Sequence, residues 1–414
     1  MRPRPLSRGR GRSRVRRTPA RRGYGGRVQR PNRRDRTVRA AIAGAVCGGL
    51  LLAGCTSDTG SADDATGSGS SSSAGGDRGG GDGASATSSA AAAATTPPTY
   101  AGQAGAFDAA VAKRLGRSTV PDAEVAGPTG TTGTWKGTRV GVVASGDDAT
   151  LVVRDGSAWR VVGGWWPSKG LPGPYLGPKQ HVLVLGSDAR QGQSIERSRA
   201  DTIQLVGLDG RGGGGILGIP RDSYVPLSTG GSGKVNGAMP RGGPAAMQRT
   251  LADATDLPIK GWMLTDFVGF QRAVQALGGI PITLPRPVGD LKAGEQTLNG
   301  KQALFLARER KSLPRGDFDR SSNQGLLLMA GLTQLRTKGV TELPKILSTV
   351  DPHVKTSLTP EQVLTFVASA YAVNPSRVGR EVAPGTPATI GGASVVRLSP
   401  EAKQTFARFA DGNL

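Results

Sequence analysis

Five apolar runs in the second half of the chain constrain the fold more strongly than any other feature of the sequence. They begin at residues 181, 202, 215, 259 and 280 and read HVLVLG, TIQLVGL, GILGIP, IKGWML and IPITLP. Runs this short and this rich in aliphatic residues indicate strands that are buried on both faces. Helical patterns are found at residues 243–254, 265–277, 299–307, 319–335, 359–372 and 400–409. The alternation predicts an α/β domain, residues 179–414, whose central sheet is covered by helices on both faces.

A smaller unit is predicted ahead of this domain, at residues 134–178. Its runs TRVGVVA, ATLVVRD and SAWRVVGGWW are rich in β-branched and aromatic residues, and the turn sequences SGDD and DG separate them. We expect an accessory β-meander that packs on the main domain and carries no chemistry of its own. Trp165 and Trp166 are interpreted as packing residues, with sugar binding as the alternative.

The net charge of +22 suggests a nucleic-acid partner until its distribution is considered. Residues 1–39 hold 16 Arg and one acid, so this arm carries +15 of the total. The apolar run at 40–53 is shorter than the ~20 residues of a membrane-spanning helix and fits the hydrophobic part of a signal peptide. It ends in Leu-Ala-Gly-Cys, which is similar to a lipobox. Residues 1–55 therefore predict a lipoprotein signal with Cys55 as the lipidated residue, and a signal anchor is the alternative.

The following segment, residues 56–133, is predicted to be a disordered tether. Its first fifty residues are Ser, Gly, Ala, Thr and Asp with almost no large apolar groups, so they cannot bury enough surface to fold. The signal and the tether together place the folded part outside the cytoplasm, at the outer face of the cell membrane. Both cysteines lie in the signal region and only two histidines occur, which argues against disulfides and zinc in the folded part.

Polar motifs stand at the ends of the predicted strands and helices. GSDAR follows the first strand, RAD precedes the second, IPRD ends the third, KVN comes after it, and RER is followed by DFDR and Gln324. Ligands of α/β proteins bind where strands end. Arg binds phosphate oxygens in a bidentate way, and Asp holds Mg²⁺, which bridges such oxygens. Each motif alone fits a surface ion pair or a turn, but together they predict a phosphate-binding site.

From about residue 181 to residue 335 this set of motifs resembles the LytR-CpsA-Psr family of cell-wall glycopolymer ligases. The resemblance rests on HVLVLGSDAR, RADTIQLVGL, GIPRDSYV, KVNGA, GEQTLNGKQALFLARER and GDFDRSSNQ. It implies an α/β/α fold with a central mixed sheet and an apolar groove for a polyprenyl chain. It also implies a phosphotransferase that moves a glycopolymer from a polyprenyl-pyrophosphate carrier to peptidoglycan through a phosphodiester bond. The expected partners are that lipid-linked glycopolymer, peptidoglycan and, through the lipid anchor, the membrane surface.

The resemblance also implies roles for individual residues. The expected ligands of Mg²⁺ (or Mn²⁺) are Asp188 and Asp201. The pyrophosphate is expected to contact Arg190, Arg199, Arg221, Arg308, Arg310, Arg320 and Gln324. The catalytic residues are expected to be Arg221, Asp222, Arg308, Arg310 and Asp319. Asp222 and Asp319 are expected to orient Arg side chains, and one of these carboxylates to act as the base. The candidates for lining the apolar groove are Val268, Phe270, Val274, Leu277 and residues 326–329, for which ordinary core packing is the alternative.

Three other functions compete with this interpretation. A polyprenyl-pyrophosphate phosphatase would use the same arginines, with water in place of the sugar hydroxyl. A membrane-anchored transcriptional regulator is disfavoured by the lipobox-like segment and by the lack of a helix-turn-helix pattern beside the basic arm, so no nucleic-acid partner is expected. A non-catalytic wall-binding protein would rely on the Trp-rich β unit. The sequence does not identify the glycopolymer.

Overall fold

The structure, a computed structural model, describes residues 118–171 and 174–414. Cys55, the Arg-rich arm and the tether up to residue 117 lie outside these residues. The first elements are a short helix, α1 (Asp122–Val125), and a five-stranded antiparallel sheet in the order β1-β5-β4-β3-β2. Its strands are β1 (Thr119–Val120), β2 (Gly130–Trp135), β3 (Thr138–Ser145), β4 (Asp148–Asp155) and β5 (Ala158–Trp165).

This β unit begins earlier than the sequence predicts. Residues 118–133 belong to the predicted tether, yet β2 pairs along its whole length with β3, from Gly130 opposite Val143 to Trp135 opposite Thr138. Backbone pairing does not need large side chains, which is why composition misses this strand. At Gly133 a Cβ atom would lie 2.1 Å from the carbonyl oxygen of Pro344, so the close approach of β2 to the main domain requires glycine.

The β unit packs on the main domain, as expected. Trp135, Leu151 and Trp165 share one buried cluster with Leu343 and Leu364 of the main domain. Trp165 and Trp166 are 3% and 5% exposed, which confirms that they are packing residues. Their ring faces are therefore not available to a sugar, and no support remains for wall binding through these two tryptophans.

The main domain is built on a six-stranded mixed sheet in the order β14-β11-β6-β7-β8-β15. β7 runs antiparallel to β6 and β8, β11 runs parallel to β6, β15 runs parallel to β8, and β14 runs antiparallel to β11. The strands of this sheet are β6 (Gln180–Ser187), β7 (Ala200–Leu208), β8 (Gly214–Gly218), β11 (Ile259–Thr265), β14 (Val354–Thr356) and β15 (Val378–Val382). The remaining strands form two-stranded ribbons: β9 (Tyr224–Pro226) with β10 (Ser232–Lys234), β12 (Ile280–Leu284) with β13 (Gly294–Leu298), and β16 (Gly385–Ile390) with β17 (Ala393–Leu398).

Helices cover both faces of the central sheet, which confirms the predicted layers. They are α2 (Ala238–Thr255), α3 (Phe267–Ala276), α4 (Gly300–Arg308), α5 (Asp317–Thr337), α6 (Leu343–Val350), α7 (Pro360–Ala372) and α8 (Pro400–Phe409). Alternate strand residues point to opposite faces. Leu183 and Leu205 pack with Met247 of α2 and Phe406 of α8, while α5 and α7 lie on the other face, where Val182 packs. Within the described residues, no helix has the length and apolarity needed to cross a membrane.

Two elements differ from the sequence prediction. The run IPITLP forms β12, which pairs with β13 outside the central sheet and packs under α4 and α5 through Ile282, Leu306 and Leu327. The outer strand next to β8 is β15 instead. Its sequence VGREV has two exposed charged residues and no strong apolar pattern. An edge strand needs to bury only part of its surface, so its sequence signal is weak.

The buried His181 gives the fold a defined pH dependence. Its Nε2 donates to the carbonyl oxygen of Phe409 at 2.7 Å, and its ring meets the Phe409 ring edge-on. Burial lowers the pKa of His181 below its ordinary value of 6.5, because protonation would place a charge on the buried Nδ1, which has no partner. Near pH 6.5 the unfolded chain therefore takes up a proton that the folded chain does not take up.

We expect the free energy of unfolding to fall as the pH drops below about 6.5. In the His181→Gln variant, whose amide can still donate to Phe409, the part of this loss above pH 5 should disappear. Chemical denaturation at several pH values measures it, with His353→Gln as the control. The same slope in wild type and His181→Gln would show that another group titrates.

Candidate active site

The predicted polar motifs meet at one edge of the central sheet, the one that is formed by strand ends rather than by an outer strand. The carboxyl ends of β6, β8 and β11 and the amino end of β7 lie there, because β6, β8 and β11 run in the same direction. Between β6 and β7 the register shifts: Gly186 is opposite Thr202, but Ser187 is opposite Ala200. Asp201 is therefore the extra residue of a bulge, which re-aims its side chain. Its Oδ1 accepts from Nη1 of Arg221 at 2.6 Å.

The first turns of α5 bring a second set of charged residues to this edge. Asp317, Arg320 and Gln324 lie three and four residues apart and share one face of the helix. Arg320 is 5% exposed and forms an ion pair with Asp317. Its Nη1 is 4.0 Å from Oδ2 of Asp201, and Nε of Arg221 is 3.9 Å from Oδ1 of Asp317. The two arginines and two aspartates form a closed network, which we call the charge cluster.

Gln324 ties the charge cluster to its surroundings. Its Nε2 donates to the carbonyl oxygens of Asp201, at 3.2 Å, and Ala307, at 2.9 Å. It thereby connects β7, the end of α4 and α5. The capping box between Asn299 and Gln302 starts α4, which ends at Arg308 and so delivers that side chain to the same edge.

Burial changes the proton affinities within the charge cluster. The pKa of Asp317 is raised, chiefly by burial and also by the nearby negative charge of Asp222. The pKa of Arg320 is lowered by burial and by the neighbouring Arg221. Burial alone would lower the pKa of Arg221, but its contacts with Asp201 raise it. The buried atoms Oδ2 of Asp317 and Nε of Arg221 and Arg320 have no hydrogen-bond partner among the described residues. The cluster therefore has one acceptor and two donors whose hydrogen-bonding capacity is not used within the described residues.

An apolar cavity of about 80 Å³ opens beside the charge cluster. Asp201, Arg320, Gln324 and Arg308 contribute to its polar end. The guanidinium of Arg308 stacks on the ring of Phe267, 4.4 Å from the ring centroid. The apolar wall consists of Val184, Leu185, Phe267, Phe270, Leu304, Leu327 and Leu328. Of the predicted groove residues, Phe270, Leu327 and Leu328 line this cavity, whereas Val274 lies in the core and Val268 is 58% exposed.

Not every predicted site residue joins the charge cluster. The side chains of Arg190, Arg199 and Arg310 are exposed, and within the described part of the chain they form no ion pair. Asp222 pairs with Lys234 at 2.9 Å. These residues surround the cluster along the same chain segments, so their assignment to a ligand stays a prediction.

Asp319 lies apart from the charge cluster. Its carboxylate accepts from Arg286 at 3.0 Å and from Arg315 at 2.8 Å. Asp319 thus pairs with Arg286 and Arg315, two residues that the sequence analysis does not single out. The reason is helical geometry: Asp317 and Asp319 are two residues apart on α5 and so point in different directions.

Asp317 is the residue of the charge cluster that sequence reasoning missed. The sequence analysis names this aspartate only as the first residue of the motif DFDR and predicts no role for it. A signal was available, because Arg320 and Gln324 follow Asp317 at spacings of three and seven, which keep all three on one helix face. The corresponding spacings from Asp319 are one and five.

The acidic residues at this edge are too few to hold a metal ion by themselves, so a metal site here needs oxygen atoms of a bound substrate as further ligands. Among the described residues, no group of three or more His, Cys, Asp or Glu side chains is arranged to hold a metal ion. Asp188 follows β6 directly, and its backbone N–H donates to the carbonyl oxygen of Arg199, which places it beside the Asp201 bulge. Its carboxylate has no partner in residues 118–171 and 174–414. Mg²⁺ is commonly held by one or two carboxylates together with substrate phosphates and water. The Asp201 carboxylate is already paired with Arg221, so a metal site at Asp188 and Asp201 stays a prediction.

The comparison with known families decides the classification. The sequence profile of the LytR-CpsA-Psr family matches residues 177–409, more than half of the chain. The chain belongs to the LytR-CpsA-Psr family. The matched region covers the central sheet, the charge cluster and the apolar cavity, and it leaves the accessory β unit outside.

Two curated members of the LytR-CpsA-Psr family are similar to this chain. TagU of Oceanobacillus iheyensis, named as a polyisoprenyl-teichoic acid–peptidoglycan teichoic acid transferase, is 29% identical over 201 residues, which are 46% of this chain and 62% of TagU. TagV of Bacillus subtilis carries the same description and is 30% identical over 195 residues, 43% of this chain and 49% of TagV. The chain thus spans about half to three fifths of the length of these relatives.

A solved structure supports the fold. Protein gbs0355 of Streptococcus agalactiae superposes with a TM-score of 0.51 at 22% identity, covering 57% of this chain and 89% of that protein. The α/β/α arrangement with a central mixed sheet is therefore the fold of the family, and the sequence prediction of it is confirmed.

The buried pair of Asp317 and Arg320 predicts a large loss of stability on truncation. The Asp317→Ala variant leaves the charge of Arg320 buried with Asp201 only at 4.0 Å, and we expect the free energy of unfolding to fall by about 3 kcal/mol. Asp188→Ala is the control, with an expected change of at most about 0.5 kcal/mol because its carboxylate has no described partner. Urea denaturation measures both. Equal losses in the two variants would contradict a structural role for the pair.

Proposed function

We propose that this member of the LytR-CpsA-Psr family is a phosphotransferase that attaches a glycopolymer from a polyprenyl-pyrophosphate carrier to peptidoglycan. The observation that carries this proposal is the charge cluster at the mouth of an apolar cavity. A pyrophosphate with a lipid tail has the same two parts, an anion and a long apolar chain. The names of TagU and TagV, as polyisoprenyl-teichoic acid–peptidoglycan transferases, support the same reaction class.

The cluster supplies the groups that this reaction needs. The guanidinium groups of Arg221 and Arg320 bind pyrophosphate oxygens, and Arg308 adds a third guanidinium at the mouth of the cavity. These charges stabilise the negative charge that develops on the leaving phosphate. Arg190, Arg199 and Arg310 lie at the exposed rim and extend this binding site to the rest of the phosphate groups.

The transfer itself is a displacement at phosphorus. The acceptor hydroxyl oxygen attacks the phosphorus next to the sugar and forms a new P–O bond. The bond between that phosphorus and the bridging oxygen breaks, and polyprenyl phosphate leaves. The hydroxyl proton goes to the carboxylate of Asp317, whose pKa is raised chiefly by burial. In this proposal Asp317 takes the role of base that the sequence analysis gave to Asp222 or Asp319.

A divalent cation is part of the proposal. Asp188 and Asp201 would hold Mg²⁺ or Mn²⁺ together with pyrophosphate oxygens, and the ion would neutralise phosphate charge. We also propose that the folded part works at the outer face of the membrane, reached through the lipid on Cys55 and the tether. Both segments lie outside the described residues.

The test of the charge cluster is Arg308→Ala. Its side chain is exposed and rests on Phe267, so the fold should not change, but we expect transfer to peptidoglycan to fall by about 100-fold. Labelled lipid-linked donor and isolated peptidoglycan measure the transfer. The control is Arg272→Ala, an exposed arginine of α3 whose partner is Gln275. Phosphate release without any acceptor-linked product in the wild type would identify a phosphatase instead.

The lipid-binding role of the cavity has a separate test. Its volume of about 80 Å³ is below the several hundred Å³ of typical ligand pockets, so a polyprenyl chain needs its walls to move apart. Leu328→Trp fills the cavity and should raise the KM of a long-chain donor about tenfold, with less effect on a short-chain donor. The control is Met329→Trp. Met329 follows Leu328 in the chain but lines a different groove. The same KM change for both chain lengths would contradict a lipid site here.

A further inference from the structure

A second and wider cleft, of about 670 Å³, lies on the other side of the first turns of α5. Arg320, Gln324 and Leu327 face the apolar cavity, whereas Ser321, Ser322 and Gly325 face this cleft. Its opposite wall is formed by β15 and the start of β16, and its lining includes Arg315, Phe318, Arg380, Glu381, Pro384 and Pro387. We call it the α5–β15 cleft.

The α5–β15 cleft lies at the same edge of the sheet as the charge cluster. β15 runs parallel to β8, with Val382 opposite Gly218, and Arg221 follows β8 by three residues. The side chain of Gln204 joins the two sites, because its Nε2 donates to the carbonyl oxygen of Ser321 and lies 3.5 Å from Oε1 of Gln324. Little more than the width of α5 separates the cleft from the phosphate-binding residues.

The charges of the cleft favour an anionic ligand. Glu381 is neutralised by Arg408, with which it forms two hydrogen bonds of 2.7 and 2.8 Å. The carboxylate of Asp319 is shared by Arg315 and Arg286, so these three side chains together have a net charge of +1. Arg380 donates to the carbonyl oxygen of Ser322 at 3.3 Å and forms no ion pair within the described residues. Arg380 thus presents a charge in the cleft that no carboxylate balances, and the group of Arg315, Arg286 and Asp319 beside it has a net charge of +1.

We propose that the α5–β15 cleft binds the acceptor, a carboxylate-bearing glycan strand of peptidoglycan; this inference rests on the proposed function. Displacement at phosphorus proceeds with the attacking and leaving oxygens in line. The cleft and the charge cluster both border the first turns of α5, so the hydroxyl of a strand held in the cleft reaches the phosphorus past the start of this helix, where Asp317 lies.

The chemistry of the cleft matches such a strand. Arg315 and Arg380 pair with the carboxylates of muramic acid and its stem peptide. Phe318 and the two prolines offer apolar contacts to the faces of sugar rings, and the serine hydroxyls offer hydrogen bonds. A volume of several hundred Å³ suits sugar residues, whereas the apolar cavity does not have room for them. In this assignment Asp319 is a positioning residue, because it holds Arg315 at the rim of the cleft.

The test compares three variants of the full chain. Arg380→Ala removes an unpaired charge from the cleft, Ser322→Tyr fills it, and Arg377→Ala is the matched control at the amino end of the same strand, where Arg377 pairs with Asp209. Equilibrium binding is measured with soluble, uncross-linked peptidoglycan fragments that carry stem peptides, and separately with the lipid-linked donor. Transfer kinetics follow with both substrates.

We expect Arg380→Ala and Ser322→Tyr to weaken binding of the peptidoglycan fragments, and to raise their KM, by about tenfold. Donor binding and the Arg377→Ala control should not change. Unchanged fragment binding in both cleft variants overturns the inference, as does a loss confined to the donor, which would assign the cleft to the donor's glycopolymer. If fragment binding falls as expected but the wild type transfers nothing, the acceptor site stands and the proposed function fails.

Discussion

The rest of the site depends on one interaction, the mutual neutralisation of the four side chains of the charge cluster, which are Arg221, Arg320, Asp201 and Asp317. Burying an arginine is costly unless carboxylates and hydrogen bonds compensate it, and Arg320 is almost completely buried. Four segments have to meet for that compensation: the β6–β7 bulge, the loop after β8, the end of α4 and the first turn of α5. The hydrogen bonding of the cluster is incomplete within the described residues, and in our proposal an anion completes it.

Helix α5 separates two environments of different character. One side of its first turns faces a small apolar cavity with arginines at the mouth, and the other faces a wide cationic cleft. The helix starts with Asp317 and Asp319, which suit the positive end of its dipole and which each fix different arginines. In our proposals, a single helix start thus organises both a site for a lipid-linked phosphate and a site for the glycan that receives it.

The accessory β unit packs on the α/β domain. Trp135 and Trp165 are buried against α6 and α7, and strand β2 approaches Pro344 closely enough to require Gly133. The family match begins after this unit, at residue 177. The unit therefore extends the hydrophobic core of the α/β domain on the side away from α2 and α8.

The sequence by itself determined the α/β class, the layers of helices, the presence of a buried sheet and the ordered motifs that resemble the family. These follow from local periodicity and from residue types at strand ends, which the chain order preserves. It also indicated Asp201, Arg221, Arg320 and Gln324, because each stands in such a motif. What it could not determine is which strands pair, since β12 and β15 exchange the roles that their apolarity suggests. Only the tertiary structure separated Asp317 from Asp319 and opened a cleft beside α5, because two neighbouring side chains on a helix point in different directions and their partners come from distant segments.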